Sequence, residues 1–432
     1  MKKFILLASA MFALTAASAQ DKEVVKIEKS LEKSDLAIAD AKKATLATTW
    51  IDRGNLFIDM ANVYTKSLIQ GFGLTQIQSA IGAPKSTEAV EFKGVQYNLN
   101  EFDKFDVYTN SGDNMIAFWL VNEYPIETPL ESAYESLVKA KELSSKEFEG
   151  AGKGSIAAGR LQAIYQADGM AHYSLDNSED AAELFLKSFE VGELTDSFDT
   201  VFLYYAGICF YESAHYAKAI SALDKVFAAG SDQEGMVYYY MADSYSQLGD
   251  TQKAIDLLEE GFAKYPTDNT IMGTLINVYM TSKQDPSKIV EVIKAAQELD
   301  PSNTSLYMVE STIYNEMGDS EKAYAVLDKV INEIDPAYFG AYYNYAIMKV
   351  LDAQALNEEA AKLDLNDVKG YNDMMDQIIA LQAEAIEILE KAHEIEKENV
   401  AVIELLKQLY FPRRDEEGAK ERYEYFDALS NQ

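Results

Sequence analysis

The chain predicts an all-α fold: a solenoid of stacked helical hairpins winding as a right-handed superhelix, with a small α+β insertion in the first repeat. Three observations carry this. An alanine, a large apolar residue four on and a small or apolar residue three further recur seven times along the 432 residues, with an eighth, degenerate copy. Such positions lie on one helix face and form a buried stripe. Five of the seven intervals between the eight patterns, one of them a degenerate copy led by Ile289, sit near 34 residues, a spacing that an ordinary bundle has no reason to keep. Finally, glycine and proline stand where helices must stop: Gly249-Asp250 between two helices, and Pro266, Pro301 and Pro336 at intervals of 35.

The elements follow in order. Met1-Lys2-Lys3, an apolar run Phe4–Ala17 and Ala17-Ser18-Ala19 have the pattern of a cleaved secretory signal peptide. Fourteen apolar residues are too few to span a bilayer. No cysteine follows the cleavage site for lipid anchoring, and later apolar runs are too short to cross a membrane. The expected location is therefore periplasmic or secreted, with export of the Gram-negative style. Residues 1–19 form the signal, 20–70 an N-terminal helix and the first helix of repeat 1, 71–128 the insertion and 129–432 the solenoid.

The stripes are Ala133-Leu137-Ala140, Ala182-Leu186-Phe189, Ala219-Leu223-Val226, Ala254-Leu258-Gly261, Ile289-Ile293-Ala296, Ala323-Leu327-Val330, Ala385-Leu389-Ala392 and Ala419-Tyr423-Phe426. Another helix precedes each, as Tyr238-x-x-Met241-Ala242-x-x-Tyr245 precedes Ala254. Ala242 and Ala254 let the two helices approach while larger neighbours fill the space. Within 71–128, Leu74–Ile81 reads as a short helix ending at Gly82-Ala83-Pro84. Val90–Phe92, Val95–Leu99, Phe105–Tyr108 and Met115–Val121 read as strands, with a turn at Ser111–Asn114. A second interruption, around 351–378, reads as lengthened helices with a loop near 365–370. Ser145–Ser155, carrying Gly150, Gly152 and Gly154, reads as a flexible linker, since it lacks the Lys-Ser/Thr of a phosphate loop.

Charge and composition narrow the function. There are 38 basic and 71 acidic residues, a formal charge of −33. Nucleic acid is excluded as a partner, because phosphate binding needs lysine and arginine, and anionic lipid is disfavoured. One cysteine, Cys209, and three histidines, His172, His215 and His393, leave no metal motif, no assembled catalytic triad and no expected cofactor. An enzyme is not expected.

The repeat resembles the tetratricopeptide repeat, whose pattern is W-x2-L-G-x2-Y, then A-x3-F, then P, on a 34-residue period. Trp50-x-x-Arg53-Gly54-x-x-Phe57 looks like its first helix, with arginine in place of leucine. Tyr342-x-x-Tyr345-Ala346 and Ile403-x-x-Leu406 are similar. The resemblance covers roughly Ala44–Leu429. It implies a non-enzymatic scaffold whose first helices line a concave groove that holds a protein or peptide. Numbering each helix from its match puts Tyr204, Tyr239, Met308 and Tyr343 at a first groove position. Ile208, Asp243, Asn277, Thr312 and Ile347 fall at a second, with Tyr211 and Asn315 one turn on. Family members that grip an acidic C-terminal peptide carry lysine, arginine and asparagine there. This chain has Tyr239, Tyr240 and Asp243, so a neutral or basic partner is expected. The alternative is a glycan-binding or glycan-degrading helical-repeat protein, which in the starch-utilisation type normally carries the lipid-bearing cysteine absent here.

Overall fold

A computed structural model describes residues 2–195, 199–282, 285–364 and 366–431, with side chains from residue 20 onward. The side chains of Phe4–Ala17, on which the signal-peptide reading rests, lie outside the described residues, as does Leu365. No helix among the described residues is long and apolar enough to cross a membrane. Eighteen α-helices and one four-stranded sheet are described. The chain divides into two compact units, Met1–Leu257 and Leu258–Gln432.

In the first unit, α1 (Lys2–Ala39) packs on α2 (Ala47–Ala61). After α3 (Leu74–Ile81) come the strands β1 (Ser86–Phe92), β2 (Val95–Glu101), β3 (Phe105–Asn110) and β4 (Ile116–Val121). They pair in chain order, all antiparallel. Helix α4 (Pro129–Leu143) then returns to pair with α2, so the first hairpin closes around the insertion. The following hairpins are α5 (Lys153–Ser174) with α6 (Ser178–Gly192), and α7 (Thr200–Glu212) with α8 (Tyr216–Ala228). Next come α9 (Met236–Gln247) and α10 (Thr251–Lys264), and the division between the units falls inside α10. The second unit continues with α11 (Asn269–Thr281), α12 (Pro286–Leu299), α13 (Thr304–Glu316) and α14 (Ser320–Lys329). Helices α15 (Phe339–Ala360), α16 (Val368–Ile395), α17 (Val400–Tyr410) and α18 (Ala419–Ser430) complete it.

Each alanine-led stripe lies on an even-numbered helix and is turned inward. Ala133, Leu137 and Ala140 are fully buried, as are Ala219, Leu223 and Val226, Ala323, Leu327 and Val330, and Ala385, Leu389 and Ala392. Small residues of the odd-numbered helices meet them. A Cβ added to Gly169 would lie 2.6 Å from the Phe185 ring, and one added to Gly207 2.6 Å from Leu223. Ala242 and Ala346 stand at the same register and are fully buried. Helices begin where side-chain oxygens satisfy their free N–H groups. Asp268 accepts from Thr270 and Ile271, Asp285 from Ser287, Asp319 from Lys322 and Asn399 from Val402.

The aromatic anchor of the first helix has its own partner. Trp50 donates to the Ala44 carbonyl at 3.0 Å, Tyr307 to Pro301 at 3.2 Å and Tyr342 to Pro336 at 3.0 Å. Each ring reaches back six residues and ties the helix to the turn before it.

Three readings are refined. The insertion does not perch independently: Phe105, Val107 and Ile116 share a core with Ile27 of α1, Met60 of α2, and Leu74 and Ile81 of α3. Ser145–Ser155 is a packed corner rather than a flexible linker. Phe148 is fully buried, and Cβ atoms added to Gly152 or Gly154 would strike the Glu147 carbonyl or the Phe148 ring. Around 351–378 the two helices are long, as expected, but α16 starts at Val368, so Gly370 lies in its first turn and accepts no loop role.

Candidate functional site

Counting from the residue where paired helices meet, which is small in every first helix from α5 to α15 except α11, where it is Ile276, gives three positions on each first helix: three before it, one after and four after. These share a face, because they sit three and four residues apart. In α5 they are Gln166, Met170 and Tyr173. In α7 they are Tyr204, Ile208 and Tyr211, and in α9 Tyr239, Asp243 and Ser246. In the second unit they are Gly273, Asn277 and Met280 in α11, Met308, Thr312 and Asn315 in α13, and Tyr343, Ile347 and Val350 in α15.

In the first unit the residues selected from sequence come together. The Tyr211 hydroxyl donates to the Asp243 carboxylate at 2.8 Å, across from α7 to α9. Tyr211 also meets Tyr240 edge-on at 5.1 Å between ring centroids, and lies 6.4 Å from Tyr239. Tyr239 and Tyr240 are 5.0 Å apart, and Tyr204 meets Tyr240 edge-on at 6.5 Å. All are half-buried, with faces left to solvent. Burial pushes the Tyr204 phenol up to about 12. Burial and the hydrogen bond to Asp243 raise Tyr211 further, so both phenols stay protonated donors at neutral pH.

In the second unit the residues selected from sequence make no such cluster among the described contacts, although Tyr324 meets Tyr345 at 4.9 Å and donates to Asp352 at 2.7 Å elsewhere in it. Asn277 and Thr312 are exposed, and Met308 and Asn315 half-buried. Tyr343 stacks on Phe339 of its own helix at 5.6 Å. Among the described contacts, no hydrogen bond or ring contact links Asn277, Met308, Asn315 and Tyr343.

Sequence reasoning missed the first-unit neighbours Tyr173 and Tyr205, and named no residue of the insertion as part of a site. The aromatic run Phe202–Tyr205 was a signal for Tyr205, but nothing local announces that the sheet lies against α5. One face of the sheet carries Tyr97, Tyr108 and Phe118, with Tyr108 stacked on Phe118 at 4.7 Å and Tyr97 edge-on to it at 5.2 Å. Tyr97, Phe118 and Trp119 face Gln166 and Met170 of α5 across a cleft of about 430 Å³. Gln70 and Asn110 add carboxamides to its rim. A second cleft of about 290 Å³ shares Trp119 and Ala167 with the first, and is walled by Tyr124, Arg160, Ile164 and Asp168. Arg160 is tied to Asn55 and Asp59 at 2.6 Å each. Burial raises the Asp168 carboxyl to about 7, against a hydrogen bond with Tyr124 that lowers it.

These walls can hold apolar and aromatic groups and hydrogen-bond an extended chain. No histidine or cysteine is among the residues described as lining either cleft. Cys209 is fully buried, its thiol pushed up to about 12, and is unreactive. His215 starts α8, while burial lowers His172 and His393, which stay neutral. Among the described residues no group of three or more His, Cys, Asp or Glu is placed to hold a metal ion.

Residues 236–268, spanning α9 and α10, match the family model described as tetratricopeptide repeat. TPR repeat-containing protein YpiA of Bacillus subtilis (strain 168) is 26% identical over 194 residues, 44% of this chain and 45% of that protein. The chain thus spans less than half the length of this curated relative. Among solved structures, the C-terminal part of a TPR repeat-containing protein from Cytophaga hutchinsonii superposes with a TM-score of 0.39 at 15% identity, over 61% of this chain and 95% of that one. A TPR repeats protein from Bacteroides fragilis gives 0.31 at 16% identity, over 57% and 97%. MamA AMB-1 gives 0.32 at 19% identity, over 40% and 92%. The chain resembles the tetratricopeptide-repeat proteins, scaffolds that typically mediate protein–protein interaction and are generally non-catalytic.

Proposed function

We propose that this chain is an exported, non-enzymatic scaffold that binds a protein or peptide partner on the first-helix side of its repeats. The tyrosine surface of α7 and α9 carries the reading: Tyr204, Tyr211, Tyr239 and Tyr240 in mutual contact, with Asp243 accepting from Tyr211. Tyrosine offers large contact area at low entropic cost and is enriched at the energetic centres of interfaces. Half-buried rings fixed by their neighbours are already ordered, so less freedom is lost on binding.

The partner is neutral or basic. The chain's charge of −33 repels acidic partners and draws basic ones, and the tyrosine surface offers Asp243 rather than a cationic clamp. The location is the periplasm or the medium, on the strength of Lys2-Lys3 and the apolar run that follows. In the second unit, Met308 and Tyr343, with Asn277 and Asn315, provide a more polar surface of its own.

The test is crosslinking and mass spectrometry on the exported chain in its own cells, with Tyr204→Ala plus Tyr239→Ala beside the wild type. A specific partner lost in the double variant supports the reading. Recovery of only abundant bystanders, unchanged by the substitutions, overturns it. Fractionation of the same cells reports on export.

A further inference from the structure

Outside the tyrosine surface, the tip of the β1–β2 hairpin is the place where backbone, charge and packing meet. Phe92 pairs with Val95, leaving Lys93-Gly94 as a two-residue turn with φ of 48° and 75°. Both residues are left-handed, the geometry that suits asparagine or glycine at the first position and penalises a longer side chain. Lysine there calls for an explanation, and its contacts supply one. The Lys93 ammonium lies 3.8 Å from the centroid of the Tyr173 ring and 3.4 Å from an Asp176 carboxylate oxygen. Asp176, just past the end of α5, is itself left-handed, with φ of 62°. Two residues in disfavoured backbone conformations therefore pair directly beside one aromatic ring.

That ring belongs to the binding side of the molecule. Tyr173 occupies in α5 the position that Tyr211 occupies in α7. Its ring lies 6.4 Å from Tyr205, which lies 6.1 Å from Tyr204. The ammonium is thus seated at the edge of the tyrosine surface. An aromatic face beside a carboxylate is a good seat for a lysine or arginine side chain. Lys93 demonstrates that such a cation fits.

The holder of that cation is loosely built. β1 is an edge strand, bonded on one side to β2, and Thr87, Glu88, Ala89 and Glu91 are exposed. The hairpin tip can lift without opening the sheet core, which lies at Phe105, Val107 and Ile116.

We propose that Tyr173 and Asp176 form a cation seat on the partner-binding side, that Lys93 fills it in the free protein, and that an extended basic segment of the partner replaces Lys93 with its own lysine or arginine. The inference rests on the first-helix face being the binding side. It adds the partner's chemistry and a competitor built into the chain. A competitor that must leave before binding lowers apparent affinity by the fraction of molecules in which the seat is vacant.

Fluorescence anisotropy on the full chain tests this with two labelled peptides of equal length, one alternating lysine with leucine and one glutamate with leucine. The lysine peptide binds, and rising salt weakens it. Lys93→Asn keeps a favourable turn residue and removes the cation, so the lysine peptide binds roughly five-fold tighter. Lys93→Arg returns affinity to the wild-type level, and Tyr173→Leu weakens binding and abolishes the gain from Lys93→Asn. Equal or weaker binding by Lys93→Asn overturns the proposal. If Tyr204→Ala plus Tyr239→Ala still reduces binding in that case, the face is the binding side and only the competitor is wrong. If the lysine peptide binds no variant, or binds no better than the glutamate peptide, both proposals fall.

Discussion

The first-helix faces of α7–α9 and of α11–α13 are made by the same repeat and look nothing alike. On α7 and α9 the outward positions hold Tyr204, Tyr211, Tyr239 and Asp243, locked by ring contacts and one hydrogen bond. On α11 and α13 they hold Gly273, Asn277, Thr312 and Asn315, largely exposed and unlinked by described contacts. The inward positions do not differ in this way. Leu223 and Leu327 are fully buried in their hairpins, and a small residue faces each: Gly207 in α7, and in α13 Ser311, whose hydroxyl donates to the Ala323 carbonyl at 3.1 Å. The repeat therefore constrains packing and leaves the face free. Chemistry that singles out one stretch of face is a signature of what is bound there.

The comparison can be broken at its common half first. Leu223→Ala and Leu327→Ala should each cost about 2–5 kcal/mol in urea denaturation, because each deletes a fully enclosed side chain. A small loss at one position and a large one at the other would show that the hairpins are not packed alike. Next comes the half that differs. Tyr204→Ala plus Tyr239→Ala should weaken partner capture roughly thirty-fold, as expected for two central aromatic contacts, whereas Asn277→Ala plus Asn315→Ala should change it less than about three-fold. Equal losses would move recognition away from the tyrosines.

Two glycines sharpen the distinction between inside and outside. Gly207→Ala should destabilise by about 1–3 kcal/mol, since its Cβ would stand 2.6 Å from Leu223. Gly273→Ala, in mid-helix with nothing within 4 Å, should stabilise by about 0.5–1 kcal/mol. Thermal melts of the two variants should move in opposite directions. A last effect concerns Asp168, in the second cleft. Burial raises Asp168 to about 7 in the folded chain, above its ordinary value of 3.8. The native state then keeps a proton that the unfolded chain has released. Its contribution to stability is complete below about pH 4 and is lost as pH rises through 7. Asp168→Asn should flatten that decline, measured as urea midpoints at pH 4, 5.5 and 7.5.

Much of the architecture was legible because helical periodicity is local. Ala219-Leu223-Val226 declares its buried stripe without reference to anything distant, and Leu74–Ile81 and the four strands were readable from periodicity and turn residues. That Tyr204, Tyr211, Tyr239 and Asp243 share one face of α7 and α9 was readable too, once register was known. What escaped was non-local. Tyr173 joins the tyrosine face only because α5 repeats the register of α7, with Gly169 in place of Gly207. Lys93 matters only because the sheet folds back over α5, and no residue near position 93 encodes that. The glycines at 152 and 154 suggested slack, yet the Glu147 carbonyl and the Phe148 ring, in the turn that follows α4, make them a tight fit. Composition marks where a chain can bend, and packing decides whether it is free to.

The closing of α2 onto α4 across an entire inserted module has a wider consequence. Loop entropy grows only logarithmically with length, so once the two helices recognise each other, what separates them in sequence adds little penalty. A turn between paired helices is thus a socket: lineages of such chains can acquire or exchange side modules there while the stack beneath keeps its form.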